Sequence, residues 1–261
     1  MIEMLSFQSF LQGFSVCRAA LVVIGSLWAA PASAAAFDHR HELFTKILAR
    51  HVRDNRVDYP GLKTLPEDLT RYLDNIAAVT KAEFGRWDDP RQIAFLINAY
   101  NAATLRLVID HYPLKSIKDI GSLFKGPWDQ RVVRLFGDSI TLNALEHDLL
   151  RKNYNEPRLH FALVCAAKGC PPLRAESYIA SRLEEQLVDQ AKTFLADPTK
   201  NRVDASSATL HLSPIFQWYA SDFEKKHGSV LAALKVYWPK EYAAADGFRI
   251  RYTDYDWSLN E

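Results

Sequence analysis

The sequence predicts an α+β fold in a single domain. Three observations predict it. Helical periodicity dominates up to Tyr112, strand signals begin at Val132, and no stretch is long or polar enough to read as a linker. Helices first and strands later argue against a regularly alternating parallel sheet. The composition, 48% hydrophobic and 24% charged, is that of an ordinary globular chain. A net charge of +1 gives no electrostatic reason to expect nucleic acid or an anionic membrane as partner.

The chain opens on a leader pattern. Arg18 precedes the apolar run Ala19 to Ala30, and Pro31-Ala-Ser-Ala34 follows as a small-residue cleavage pattern. Residues 1–34 therefore read as a secretory signal peptide and 35–261 as the domain, exported to the periplasm or secreted. The run is too short to span a bilayer comfortably. Cys17 lies before it, so it is not placed as a lipid-anchored cysteine. No later stretch reads as a membrane anchor.

The elements follow in order. His41 to Arg53 carries an apolar stripe of Leu43, Phe44, Ile47, Leu48 and Val52, the mark of an amphipathic helix. Val57-Asp-Tyr-Pro-Gly61 reads as a turn, and Leu69 to Ala78 as a second helix. Asp89 as N-cap and Pro90 in the first turn open a third helix that ends before Pro113. It is apolar almost all round, so it is expected in the core. Val132 to Phe136 and Ile140 to Leu142 flank Gly137-Asp138 as a hairpin. Asn143 to Lys152 reads as a short helix, Leu159 to Cys165 as a buried strand, and Tyr178 to Leu195 as a helix. Val203 and Thr209 to Leu212 suggest a hairpin around Ala205-Ser-Ser207. Ile215 to Phe223 and Val230 to Tyr237 read as helices, and Phe248 to Tyr252 as a last strand.

Chemistry concentrates in His160-Phe-Ala-Leu-Val-Cys165-Ala-Ala-Lys-Gly-Cys170-Pro-Pro-Leu173. Beyond the leader these two are the only cysteines. They form a disulfide, supply a nucleophile, or bind a metal. An oxidising compartment favours a bridge, and its formation depends on the Cα separation. A cysteine nucleophile needs a base within reach, oriented by a third group. In a regular strand His160 and Cys165 point to opposite faces, which leaves His147, on a separate element, as the better base. Glu146 stands beside it, although Asn143 with Glu146 three residues on also resembles a capping box. Asn98 and Asn101 share one face of the core helix. They tie it to a loop, or one of them orients the base or an oxyanion. Lys168 and Arg174 are available for a substrate carboxylate. No metal is expected: a tetrathiolate site is excluded, and Asp38-His-Arg-His41 reads as solvated. No phosphate-binding glycine loop and no Gly-x-Ser-x-Gly elbow is present, and no cofactor is expected.

An ordered set of motifs resembles the DUF547 family. It comprises Ala94-Phe-Leu-Ile-Asn-Ala-Tyr-Asn101, His111-Tyr-Pro-Leu-Lys-Ser-Ile117, Leu145-Glu-His147 with Leu150-Arg151, and His160 to Cys165 with Gly169-Cys-Pro-Pro172. It ends with Trp218-Tyr219 and Tyr255-Asp-Trp-Ser-Leu-Asn260. The resemblance implies kinship with papain-like and transglutaminase-like cysteine hydrolases, and hence a helical N-terminal part packed on an antiparallel sheet and a Cys–His centre. By motif the nucleophile is Cys165, the base His147, with Glu146 beside it. Cys170 and His160 are a less constant part of the pattern. Ala166 stands where the family commonly has glycine, which restricts the loop backbone. The order, histidine before cysteine, requires a permuted or convergent arrangement. The expected function is hydrolysis of an amide bond in a short peptide or a thiol peptide such as glutathione. The alternatives are a non-catalytic peptide- or partner-binding module with a structural Cys165–Cys170 disulfide and, last, redox exchange through the pair.

Overall fold

A computed structural model describes residues 36–122 and 125–261. The predicted leader, residues 1–34, lies outside the described residues. Phe37–Glu261 form one compact unit.

Three N-terminal helices wrap one long helix. α1 (Glu42–His51) buries Phe44, Ile47 and Leu48, and leads into a two-residue ladder of β1 (Val52–Arg53) with β2 (Arg56–Val57). The predicted turn at Val57–Gly61 is instead the start of a helix, α2 (Tyr59–Thr64). Asp58 caps it by accepting from the Gly61 N–H at 2.9 Å, and Pro60 lies in the first turn, where it needs no hydrogen bond. α3 (Glu67–Ala78) buries Leu69, Tyr72 and Ile76, and α4 (Lys81–Phe84) is one turn long.

α5 (Asp89–His111) is the core helix that the sequence predicts, with Asp88 rather than Asp89 as its cap. Every residue from Ile93 to Leu105 is buried. Its length and hydropathy suffice to cross a membrane, contrary to the reading that no later stretch qualifies, but 89% of its most apolar window is buried inside the protein. A core helix satisfies the same pattern.

The hairpin of β3 (Val133–Leu135) and β4 (Asp138–Ile140) turns through Phe136 and Gly137, both with positive φ, as a two-residue hairpin of the favoured twist requires. α6 (Leu142–Ala144) continues into a π-helical segment, Leu145–Arg151. α7 (Leu159–Ala162) is a single helical turn where the sequence predicts a strand. Its apolar run is too short for periodicity to separate buried helix from buried strand. α8 (Leu183–Leu195) follows a short 3₁₀ turn. β5 (Arg202–Asp204) pairs antiparallel with β6 (Thr209–Leu212). α9 (Ile215–Trp218), α10 (Ala220–His227), α11 (Val230–Tyr237) and α12 (Pro239–Ala243) lead to β7 (Arg249–Tyr252), which runs parallel to β6.

The class is α+β, but among the described residues the strands make no single large antiparallel sheet. They form two two-stranded antiparallel sheets and one three-stranded mixed sheet. The predicted strands were individually short, and the longest buried one is α7 and a loop.

Two apolar clusters make the core. One surrounds α5. The other is aromatic, built from Phe161, Phe194, Phe216 and Phe223 among α7 to α12. α7 joins them: Leu159 and Ala162 belong to the first, Phe161 to the second. Asn101, buried on α5, fixes the exit of α7. Its Nδ2 donates to the Ala162 carbonyl at 3.0 Å, and its Oδ1 accepts from the Val164 N–H at 2.9 Å. Asn98 does the same for another loop, donating to the Tyr178 carbonyl and accepting from its N–H. Both asparagines therefore tie the core helix to loops, one of the two readings the sequence left open, and neither is among the residues lining the cavity described below. Asn101→Ala would strand two buried backbone groups, each costing about 1–3 kcal/mol. We expect urea unfolding to show a loss of about 3 kcal/mol, with Asn101→Asp also destabilised because Ala162 loses its donor.

Candidate functional site

A cavity of about 200 Å³ opens where the two clusters meet. Cys165, Cys170, Glu146, His147 and His160 all line it. The residues singled out as nucleophile, base and neighbour, together with Cys170 and His160, are thus brought together. Lys168 and Arg174 do not line it. Lys168 is an exposed residue of the cysteine loop, and Arg174 is held by Glu176 and Asp189 at 2.8 and 2.6 Å. The N-terminal histidines are elsewhere. His41 is buried against the Tyr72 hydroxyl at 2.7 Å and His39 packs on Trp87, so the two histidines are not solvated as expected, whereas Asp38 and Arg40 are exposed.

The cysteine loop is set from two sides. α7 and Asn101 position its start. The C-terminal segment straps its far side, with Lys168 and Gly169 N–H groups donating to the Ser258 and Asp256 carbonyls and Asn260 donating to Ala166. Gly169 is required by this contact: a Cβ there would lie 2.9 Å from the Tyr255 ring and 3.0 Å from the Asp256 nitrogen. Cys165 and Cys170 are joined by a disulfide, with Cα atoms 6.1 Å apart. The Tyr255 hydroxyl lies 3.1 Å from Cys165 Sγ and 3.2 Å from Cys170 Sγ.

The π-helical segment carries the ionisable wall. Such segments are rare and often accompany functional sites. Thr141 caps the preceding turn by accepting from Ala144, and Asn143 donates to Asp129, so Glu146 is not the partner in a capping box. Glu146 is buried. The Tyr100 and Tyr219 hydroxyls hydrogen-bond to its carboxylate, and Trp128 hydrogen-bonds in turn to Tyr100. His147 is exposed, and its Nδ1 lies 2.8 Å from an Arg151 guanidinium nitrogen. Arginine only donates. A neutral His147 therefore carries its proton on Nε2 and offers no free lone pair, which weakens its claim as the base.

His160 is better arranged. It is buried, its ring stacks on Tyr219 with centroids 3.6 Å apart, and its Nε2 lies 2.7 Å from Asp222 Oδ2. Asp222 also accepts from Arg151 at 2.7 and 3.0 Å. Burial would raise the Asp222 carboxyl, but the bonds from His160 and Arg151 outweigh it and hold the group well below the usual carboxylate range. An ionised Asp222 fixes the His160 proton on Nε2, leaving Nδ1 free 4.0 Å from Glu146 Oε1. Burial lowers the His160 pKa below the ordinary 6.5 despite Asp222 and Glu146, so the ring is neutral at pH 7. The strand reading separated His160 from Cys165. α7 removes that separation, because a helical turn and a bend, not a pleat, connect them. Asp222 was missed because it lies on α10, far along the chain from His160 with no local motif.

The His160 pKa is lower folded than unfolded, so the unfolded chain takes up its proton first and acid destabilises. The stability that His160 confers is present above about pH 6.5 and is lost as pH falls below it. Buried His41, whose pKa burial lowers to about 3, contributes in the same sense. Thermal melts of the wild type should fall between pH 7.5 and 5.5. His160→Gln, which can still donate to Asp222, should flatten that slope while His41 maintains the remainder. An unchanged slope would mean that His160 is not held neutral.

No curated protein and no solved structure matches the chain. Residues 84–195 match the family model described as "Protein of unknown function, DUF547". The matched stretch carries α5, Glu146, His147, His160 and both cysteines, whereas Tyr219, Asp222, Tyr255 and Trp257 are supplied from beyond it. The DUF547 resemblance read from the motifs is therefore shown over residues 84–195.

Proposed function

We propose that this protein is a thiol-dependent amide hydrolase of short peptides, resting as the Cys165–Cys170 disulfide and competent once a dithiol has reduced it. The observation that carries the proposal is one cavity shared by Cys165 and a buried histidine whose far nitrogen is held by Asp222. Nucleophile, base and orienting carboxylate are the parts this chemistry needs. The kinship with papain-like and transglutaminase-like hydrolases is part of the same proposal. It rests on this chemistry and not on a shared sheet.

Reduction exchanges the disulfide for two thiols and oxidises the dithiol to its own disulfide. His160 Nδ1 then takes the Cys165 proton, and the thiolate attacks the peptide carbonyl. The amine leaves with the proton from His160, and a thioester remains. Water, deprotonated by the same ring, releases the acid and restores the thiol. Short peptides suit a cavity of about 200 Å³, and thiol peptides such as glutathione are among them. Export, with residues 1–34 as the leader, belongs to this proposal. It is supported by the leader pattern and by a disulfide suited to an oxidising compartment.

The bonded state of the cysteines favours one second reading, a peptide-binding module with a structural bridge. In that state neither cysteine titrates. The two readings separate on reduction. Under the hydrolase reading, protein treated with a dithiol cleaves unblocked di- and tripeptides, followed by mass spectrometry, and the oxidised protein does not. Cys165→Ala abolishes cleavage, and His160→Gln lowers kcat by about 10²–10⁴. His147→Ala keeps most of the activity. A reduced wild type that cleaves none of them while still binding peptide rejects the hydrolase and leaves the module.

A further inference from the structure

The charges around the cavity do not balance. Asp222 is matched by the Arg151 guanidinium, which also bonds His147, and by His160. Glu146 has no direct ion pair with a lysine or arginine among the described residues; Arg151 acts on it only through space. Its hydrogen-bond partners Tyr100 and Tyr219 are phenols. His160 is 4.0 Å away and forms an ion pair with it only when protonated. A buried carboxylate without a direct cationic partner gains most from a ligand that brings one.

The walls around it are aromatic. Trp128, Trp218, Tyr219, Tyr255 and Trp257 line the same cavity as Glu146. Their rings are mutually packed: Trp218 with Tyr255 at 4.8 Å, Tyr255 with Trp257 at 4.5 Å, and Trp128 with Trp257 at 5.9 Å. The faces of such rings attract cations, and a box of them is a known way to hold an ammonium. One of these rings already holds one, since Lys118 Nζ lies 3.7 Å from the Trp257 centroid.

We propose that Glu146 anchors a primary ammonium, the free α-amino group of a peptide, within this aromatic box. The substrate class is then short peptides with an unblocked N-terminus, cleaved after their first residue. An α-ammonium is two bonds from the carbonyl carbon of its own residue. Glu146 and Cys165 line one small cavity, which fits that spacing better than a long cationic side chain. Glu146 is thus a binding residue rather than a second base. The cleavage position rests on the hydrolase reading, but the binding of the ammonium does not.

The oxidised wild-type protein tests the binding without cleavage. Alanyl-alanine and its N-acetyl derivative are titrated against it, followed by calorimetry and by the fluorescence of the three tryptophans in the cavity. The expected result is binding of the free dipeptide and at least tenfold weaker binding of the acetylated one. Glu146→Gln should bring the two to the same weak affinity, and Glu146→Asp should restore part of the preference. The wild-type comparison stands if either variant fails to fold. Equal affinity for the two dipeptides, or no binding of either, overturns the proposal and leaves the hydrolase reading to its own test. Retained ammonium preference with no cleavage by the reduced protein rejects the hydrolase and keeps the anchor.

Discussion

The candidate site depends on one buried amide. Asn101 sits in the middle of a helix whose neighbouring positions are all buried, so its polar groups must be satisfied within the protein. They are satisfied by the two backbone groups that bracket the end of α7. The chain therefore leaves α7 in one direction, and Leu163 and then Cys165 reach the cavity. The C-terminal strap meets the loop from the other side, and Asn260 repeats the device. Its N–H donates to Ala166 and its side chain accepts from the buried Tyr59 hydroxyl at 2.7 Å. Both ends of the reactive loop are thus fastened to the core around α5, which is the most deeply buried part of the molecule. A site on a loop gains its precision from such fastening.

The opposite wall has its own logic. The π-helical segment places Glu146, His147 and Arg151 around the cavity, and α9 and α10 bring Tyr219 and Asp222 to meet them. Arg151 links these parts. It clamps Asp222 through two nitrogens, donates to His147 through a third, and lies 5.0 Å from the face of Tyr219. Because Arg151 cancels Asp222, the orienting carboxylate stays ionised without charging His160. The same arrangement leaves Glu146 without a direct ion pair to a lysine or arginine among the described residues. In the proposed reading Asp222 acts on the protein's own imidazole and Glu146 on the ligand.

Much of this was legible in the sequence, and the remainder was hidden for definite reasons. The helix from Asp89 was visible because its cap, its proline and its all-round apolarity agree. The hairpin was visible because a glycine separates two β-branched runs, although its turn is Phe136–Gly137 and not the Gly137–Asp138 read from the sequence. The cysteine and histidine cluster stood out by composition alone. Three things were not legible. Leu159 to Val164 is short and apolar, so it reads equally as strand or helix, and that one ambiguity reversed the relation between His160 and Cys165. Asp222 is an ordinary exposed-face aspartate by local pattern, and only tertiary packing delivers it to His160. The weakness of His147 as a base depends on which of its nitrogens Arg151 occupies, a matter of side-chain geometry that spacing does not encode.

Ala166 shows how a departure from the family pattern can be tolerated. Its φ of 59° lies in the left-handed region, where glycine is at ease and alanine is strained by about 1–2 kcal/mol. That geometry gives a physical reason for a glycine after the first cysteine. Alanine has two compensations here. Its methyl is fully enclosed, with the residue only 1% exposed, and burying a methyl group is worth about 0.8 kcal/mol. It also has fewer unfolded conformations to lose than glycine, by about 0.5–1 kcal/mol. The terms offset one another, so the substitution leaves the loop close to neutral in stability. What it changes is freedom. With alanine the backbone after Cys165 is held by sterics as well as by Asn260, and the Ala166 carbonyl stays committed to that bond. The loop therefore presents the Cys165–Cys170 pair from a fixed backbone.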